Sequence, residues 1–369
     1  MRITLFRAFP DHYRKSMDVY ADKVSQGVQA ILGASDMISE YLPVRARPQP
    51  RWARLWDQYV GYQIAARRAQ GDVNHVIDHS FGHLVYSLDA RRTVVTFHDA
   101  TVFKVANGTI GGNGVTKKTI WSLRYSLAAI QKAAAVIADS EISRKDFLEL
   151  TDCNPERVHV VYPGVNPSFC VLEDREALKA RYGLAGRHIL HIGHNLFYMN
   201  LEGVLKALHH LTTRLGVDVK LLKVGMPLTD AQNKLASDLQ LQDRIVFLGR
   251  VAAEDLPAIY NCADVLLYPA LYAGFGLPPL EAMACGTPVV CSNRGSLPEI
   301  VGDAAITADP EDHRQIAVHV AALLTDDALR DAFRVKGLQQ ARCYTWDETA
   351  RKLLVIYREV YQSACSRLQ

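Results

Sequence analysis

The sequence predicts an α/β protein of two doubly wound, Rossmann-like domains, and three observations carry the prediction. At 369 residues the chain is longer than one hydrophobic core organises, so two domains are the natural division. Short apolar runs of strand length alternate with amphipathic stretches, and the alternation restarts after a hinge at residues 165–185. Between Leu271 and Val290 a glycine turn, a helix start over about Pro278–Cys285 and an inward-looking carboxylate fall between the strand-like runs Asp264–Pro269 and Pro288–Cys291. That is a β-α-β unit of the phosphate-binding kind.

Composition sets the class. Hydrophobic residues make up 49% and charged residues 22%, the balance of a soluble globular chain. There is no run of about 18 apolar residues, and Met1–Phe6 leads straight into a strand. Neither a membrane-spanning helix nor a signal peptide is expected, and the expected location is cytoplasmic. Residues 1–165 hold 21 Lys plus Arg against 16 Asp plus Glu, and the remainder 21 against 23. A mildly basic first half suits peripheral contact with phospholipid headgroups or a lipid diphosphate, and it suits scattered solvated charge equally. No basic-aromatic motif points to nucleic acid. Seven cysteines, an odd number without a C-x-x-C pair, read as buried reduced thiols rather than disulfides or a zinc site.

In chain order, Ile3–Phe9 reads as the first strand, followed by a polar loop in which Arg14 and Lys15 supply positive charge, then an amphipathic helix over Met17–Leu32. Arg45–Arg54 is basic and broken by prolines. Trp52, Trp56, Tyr59 and Val60 then recur at helical spacing; the preferred reading is a helix packed on its domain, the other a membrane interface. Asn74–Ser80 ends in Asp78 and His79, and Thr93–Asp99 ends in His98 and Asp99. In open parallel sheets ligands lie beyond the carboxyl ends of strands, where these groups fall. Asn107–Gly114 is a glycine-rich loop before a helix over about 117–134, Val136–Glu141 is a strand whose end offers Ser140 as a helix cap, and Val158–Tyr162 closes domain 1–165.

The second domain, 166–345, has strands expected at His188–Gly193, Val219–Gly225, Ile245–Leu248, Asp264–Pro269, Pro288–Ser292 and Ala304–Thr307, and segment 346–369 carries a last helix with Leu353, Leu354, Ile356, Tyr357 and Val360 on it. Gly274 and Gly276 let the backbone turn tightly toward a ligand, and Pro278 fits a first helical turn that needs no donor. The free N–H groups and the helix dipole suit a diphosphate. Glu281, one turn in, is placed to accept the vicinal hydroxyls of a ribose.

The run GFGLPPLEAMACGTPVV at 274–290, with SNRGSLPEI at 292–300, closely resembles the donor-site signature of the family-four retaining glycosyltransferases. Their fold is GT-B, two Rossmann-like domains facing a central cleft. The resemblance implies transfer of a hexosyl group from a UDP-sugar or GDP-sugar to a saccharide or lipid-linked saccharide hydroxyl, in surface polysaccharide or glycolipid assembly. It implies no essential metal, because the leaving phosphate helps deprotonate the acceptor on the same face. It assigns Gly274, Phe275, Gly276 and Leu277 to the diphosphate, Glu281 to the ribose, the backbone of Arg250 and Val251 to the base, and His194 and Asn195 to the donor side. It also has the last helix cross back to the first domain. VVTFHD resembles the family's stretch bearing a histidine near the donor sugar, which makes His98 the catalytic candidate and puts Asp99 on the acceptor side; His79 reads as structural.

Two positions depart from the family's pattern. Its two glutamates stand eight apart, and counting back from Glu281 reaches Ala273; the places of its arginine and lysine after Gly193 hold His194 and Met199. A dianionic leaving group needs a preorganised cation, worth roughly 3 kcal/mol of barrier. Either His194, Arg250, Arg14 or Lys15 supplies it, or the chain is a catalytically impaired GT-B-fold binding or scaffold subunit of a glycosyltransferase complex. A glycogen-type phosphorylase shares the architecture but needs a cofactor-binding lysine site that the sequence does not display.

Overall fold

The computed structural model describes residues 1–9, 15–43, 50–112 and 115–366, the side chains of Lys15 and Arg51 excepted. Arg14 and its loop, Arg45, Arg47 and Gly114 lie outside the described residues. The chain divides into two units, one of residues 1–107, 113–164 and 345–369, the other of 108–112 and 165–344.

The first unit carries β1 (Arg2–Phe6), β2 (Met37–Tyr41), β3 (Val73–Val76), β4 (Thr93–Phe97), β5 (Ala135–Ala138) and β6 (Val158–Val160), in one sheet of order β2-β1-β3-β4-β5-β6. All neighbours run parallel, with Ile3 opposite Ile38 and Val73, and Val95 opposite Val136. Inner strands of a parallel sheet are covered on both faces and so read as unbroken apolar runs; every residue of β3, β4 and β5 is buried. Side chains alternate between faces. Phe6, Val76, Val95 and Val136 enter one layer with Leu123, Leu127 and Ile130 of the helix Lys117–Ile130. Ile3, Leu5, Val94 and Ile137 enter the other, against Val24 and Val28 of the helix Lys15–Ile31 and Leu353, Tyr357 and Val360 of the closing helix Trp346–Ser366.

Three local outcomes differ from the sequence reading. The edge strand β2, MISEY, was not expected; with one neighbour it needs only a half-buried pattern and keeps Ser39 and Glu40. The strand read over Asn74–Ser80 stops at Val76, because Asp78 accepts from the Ser80 N–H and caps a short 3-10 helix, His79–Tyr86. The aromatic stripe is built from the helix Arg51–Trp56, a π turn at Asp57–Gly61 and the helix Tyr62–Arg68. Residues four apart drift about 40° per step on an α-helix, and the wider π turn takes the drift back. Trp52, Trp56, Val60 and Ile64 therefore all face outward, 73, 53, 41 and 47% exposed. Packing falls instead to Tyr62, whose hydroxyl donates to the Arg7 carbonyl at 2.5 Å, and to Tyr59, which is bonded to Ser122.

The second unit carries β7 (His188–Gly193), β8 (Lys220–Gly225), β9 (Ile245–Gly249), β10 (Val265–Tyr268), β11 (Val289–Ser292) and β12 (Ile306–Ala308), ordered β12-β11-β10-β7-β8-β9 and parallel throughout. Counted from β9 this is the Rossmann order, which reverses beside β7. Leu205, Leu208 and Leu211 of the helix Leu201–Thr213 and Ile316, Val320 and Leu323 of the helix His313–Thr325 cover Ile189, Leu221, Val265 and Val290. Among the described residues no helix is long and apolar enough to cross a membrane. All seven cysteines are unpaired; four are buried as expected, but Cys170, Cys343 and Cys365 are exposed.

Candidate functional site

In a doubly wound sheet the ligand crevice lies at the carboxyl ends of the strands where the order reverses. In the second unit that places it between the loops after β7 and β10. These loops are tied together: the Leu271 N–H donates to the Tyr198 carbonyl at 2.7 Å, and the Asn200 amide donates to the carbonyls of Pro269 at 3.0 Å and Pro310 at 2.7 Å.

The strands β7, β8 and β9 end on Gly193, Gly225 and Gly249, with φ of 137°, 108° and 69°. Gly193 and Gly225 are register partners. A Cβ on Gly225 would lie 2.4 Å from the Gly193 carbonyl oxygen, so the close approach of these backbones depends on the missing side chain. Positive charge gathers at this rim. Lys223 is completely buried and donates to the carbonyls of Gly193 at 3.0 Å and Val224 at 2.9 Å. Burial lowers its pKa to about 8, with no carboxylate of the described residues acting against it. Arg250 is exposed, its Nη2 3.2 Å from the Met226 sulfur. Burial, then Arg250 and Lys223, hold His194 below the usual histidine range.

Across the crevice, the helix Leu277–Ala284 starts from Gly276, whose φ is 111° and where a Cβ would meet Leu297 at 2.7 Å. Pro278 and Pro279 lack N–H groups, so fewer backbone donors reach the helix mouth than the sequence reading assumed, while the dipole remains. The Ser296 hydroxyl sits 3.0 Å from the Ala273 carbonyl and 2.5 Å from that of Phe275, holding the turn by its acceptors. Glu281 accepts from the Tyr260 hydroxyl at 2.7 Å through Oε2. Burial raises its carboxyl pKa to about 7, against the pull of that hydrogen bond.

At the strand ends of the first unit, His98 is enclosed. Its Nδ1 donates to the Asp139 carboxylate at 2.6 Å and its Nε2 to the Ile77 carbonyl at 2.8 Å. With its pKa raised above neutrality the ring is an imidazolium near pH 7, and both nitrogens are donors. Burial opposes that charge, but the Asp139 charge and hydrogen bond, with Asp78 behind them, raise the pKa to about 9. His75, bonded to Tyr357 at 2.6 Å and Thr96 at 2.7 Å, goes the other way, to about 3, through burial and the nearby charge of His98. Asp99 accepts from the Thr101 N–H at 2.8 Å and opens the helix Thr101–Ala106.

Comparison with known proteins decides the family. Residues 174–340 match the family model for glycosyl transferases group 1, and residues 19–169 that for glycosyltransferase family 4. The chain is 32% identical over 273 residues to O-antigen chain mannosyltransferase B of Escherichia coli, covering 72% of this chain and 70% of that protein. The chain belongs to the family-four glycosyltransferases. It is also 30% identical over 246 residues to serotype-specific mannosyltransferase WbdA of Escherichia coli, covering 64% of this chain but only 30% of that longer protein. Among solved structures, Anabaena HepE in complex with UDP and glucose superposes with a TM-score of 0.78 at 18% identity, covering 97% of this chain and 100% of that one. Sucrose-phosphate synthase from Thermosynechococcus elongatus does so with the same score and identity, over 98% and 100%. The fold is GT-B, of two α/β domains.

In this glycosyltransferase Gly274, Phe275, Gly276, Leu277 and Glu281 lie on one side of the switch point, and His194 and Asn195 on the other. Asn195 donates to the Pro227 carbonyl and keeps a buried Oδ1 with no partner. Arg250 and half-buried Val251 follow β9. Ala273 is buried, and the Met199 methyl lies 2.8 Å from where a Cβ on Gly193 would stand. His98, expected at the chemistry, has neither a lone pair nor a free N–H as placed; it holds Asp139 and the Ile77 carbonyl. The sequence reading passed over Lys223 and Tyr260. Lys223 had a signal, a lysine inside the apolar run LLKVG, whereas nothing local marks Tyr260 as the partner of Glu281.

Proposed function

We propose that the protein is a retaining glycosyltransferase that moves a hexosyl group from a nucleotide-diphosphate sugar to an acceptor hydroxyl in surface polysaccharide or glycolipid assembly. The observation that carries this reading is the switch point of the second unit. There bonded loops bring glycine-ended strands, the cations Lys223 and Arg250 and the carboxylate of Glu281 to one edge of one sheet. In this reading Glu281 takes the ribose hydroxyls, the Gly274–Leu277 turn and the rim cations take the diphosphate, and the backbone of Arg250 and Val251 meets the base. His194 and Asn195 line the donor side and Asp99 the acceptor side. His98 acts as a positioning residue. The leaving phosphate takes the acceptor proton as the new glycosidic bond forms on the face it departs from, so no metal is required. The names of the Escherichia coli relatives make mannosyl the first sugar to test.

We assign the outward stripe of Trp52, Trp56, Val60 and Ile64, which follows a sequence run carrying arginines at 45, 47, 51 and 54, to the inner face of the cell membrane, where a lipid-linked acceptor is presented. The defining experiment is calorimetric titration with UDP, GDP and ADP, with and without magnesium. One nucleotide is expected to bind at micromolar affinity without the metal, and Glu281→Ala to weaken it at least tenfold at an unchanged melting temperature. Equal affinity in the variant would remove Glu281 from the site.

A second reading, a catalytically impaired GT-B subunit that partners an active transferase, draws on the Met199 methyl over Gly193 and on Ala273. It gains if Met199→Lys with Ala273→Glu creates transfer activity that the natural chain lacks.

A further inference from the structure

The departure at Met199 raises the question of where the donor site keeps its positive charge, and the strand beneath it holds an answer. Lys223 lies in the second sheet, completely buried, on the strand β8 between β7 and the edge strand β9. A buried ammonium is costly unless it is paired, yet among the described residues Lys223 is satisfied only by two backbone carbonyls, those of Gly193 and Val224. Its register partner His191 is equally buried, with Nδ1 3.2 Å from the Leu267 carbonyl and an Nε2 that has no partner. The ammonium donates to the Gly193 carbonyl, and the Met199 methyl lies 2.8 Å from where a Cβ on the same glycine would stand.

Resting on the donor-site reading above, we propose that Lys223 is the resident cation of the diphosphate site. It acts from inside the sheet through the Gly193–Gly225 strand ends and replaces the charge that Met199 lacks. It touches no ligand and is a positioning residue. Its charge orients the Gly193 peptide and, in a dry interior where screening is weak, favours a dianion at the strand ends. The other groups around it do not substitute for it near neutral pH. His191 is pushed down to about 3 by burial and by Lys223, His194 is held below the usual histidine range, and Arg250 is exposed.

The test uses the full chain and whichever of UDP, GDP and ADP binds. Lys223→Met removes the charge at similar volume; it is expected to weaken nucleotide binding at least tenfold while leaving the melting temperature unchanged or higher, since an unpaired buried charge is lost. Adding Met199→Lys to that variant is expected to restore most of the affinity. In the natural protein, affinity is expected to fall as pH rises through about 8, where Lys223 loses its proton. The two histidines are already neutral there and Glu281, raised to about 7, is ionised above it, so the decline should be absent from Lys223→Met. Undiminished affinity in Lys223→Met, failure of Met199→Lys to rescue it, or a flat pH profile from 8 to 9.5 in the natural protein, where Glu281 is already ionised, would each overturn the proposal. The pH profile needs no variant to fold. Silence of the natural protein toward all three nucleotides would overturn the donor-site reading itself, an outcome distinct from binding that ignores Lys223.

Discussion

The two sheets are built alike and finish differently. In the first unit the ends of β3, β4 and β5 are closed by a side-chain network, Asp139 to His98 to the Ile77 carbonyl, with His75 tied to Tyr357 beside it. In the second, β7, β8 and β9 end on bare glycines, and the charge under them has no acidic partner among the described residues. The histidines show the consequence. His98, between two acceptors, is held protonated, while His191, beside Lys223 and with an empty Nε2, is held neutral. Closing a strand end with paired charge makes it rigid, whereas leaving it bare over a fixed cation makes it receptive to an anion.

The largest effect that tests this contrast is on stability. His98 is raised from 6.5 to about 9. The stability it contributes is therefore fully present below pH 6.5 and is lost as pH rises through about 9. Asp139→Asn should cost about 3 kcal/mol near pH 6, with the gap to the natural protein narrowing in melts above pH 9. A gap independent of pH would mean that the network is not ionic.

Next comes the carboxylate of the second unit. Glu281 is raised from 4.5 to about 7, so in the folded chain it is largely protonated below neutrality and accepts ribose hydroxyls better as pH rises. Glu281→Gln should weaken nucleotide binding by about 2 kcal/mol at pH 8 and by less at pH 6, read by calorimetry. Tyr260→Phe deletes the one hydrogen bond that lowers this pKa. It should cost about 1 kcal/mol of affinity and move the rise with pH to higher values; an unmoved profile would separate Tyr260 from the site.

The smallest effect on the fold is expected at the outward stripe. Trp52→Ala with Trp56→Ala should change stability by no more than about 0.5 kcal/mol, as exposed substitutions do, while lowering co-sedimentation with anionic phospholipid vesicles severalfold. Unchanged sedimentation would leave the stripe without a membrane role.

What could be read from the sequence follows from how each signal is encoded. The inner strands announced themselves because parallel strands are buried on both faces, as in VVTF and VLLY, and Ser140 was readable as a cap and does accept from the Ser143 N–H at 3.0 Å. The glycine turn, Glu281 and the two departures from the family's pattern lie in contiguous stretches, so the family was legible there too. The edge strand β2 was not, because a strand with one neighbour needs little apolar pattern. The outward turn of Trp52 and Trp56 was not either, because the spacing that suggested packing does not say which side of the helix its neighbours cover.

By itself, then, the sequence determined the class, the alternation of strands and helices and the chemistry available along each loop, all of which are local patterns. Only the tertiary structure decided which of those groups carry charge. The protonation of His98, the neutrality of His191 and the isolation of Lys223 depend on partners that come from distant segments or from the neighbouring strand, and on how much water the fold removes. Burial and pairing are properties of a neighbourhood in space, and no single stretch of chain encodes them.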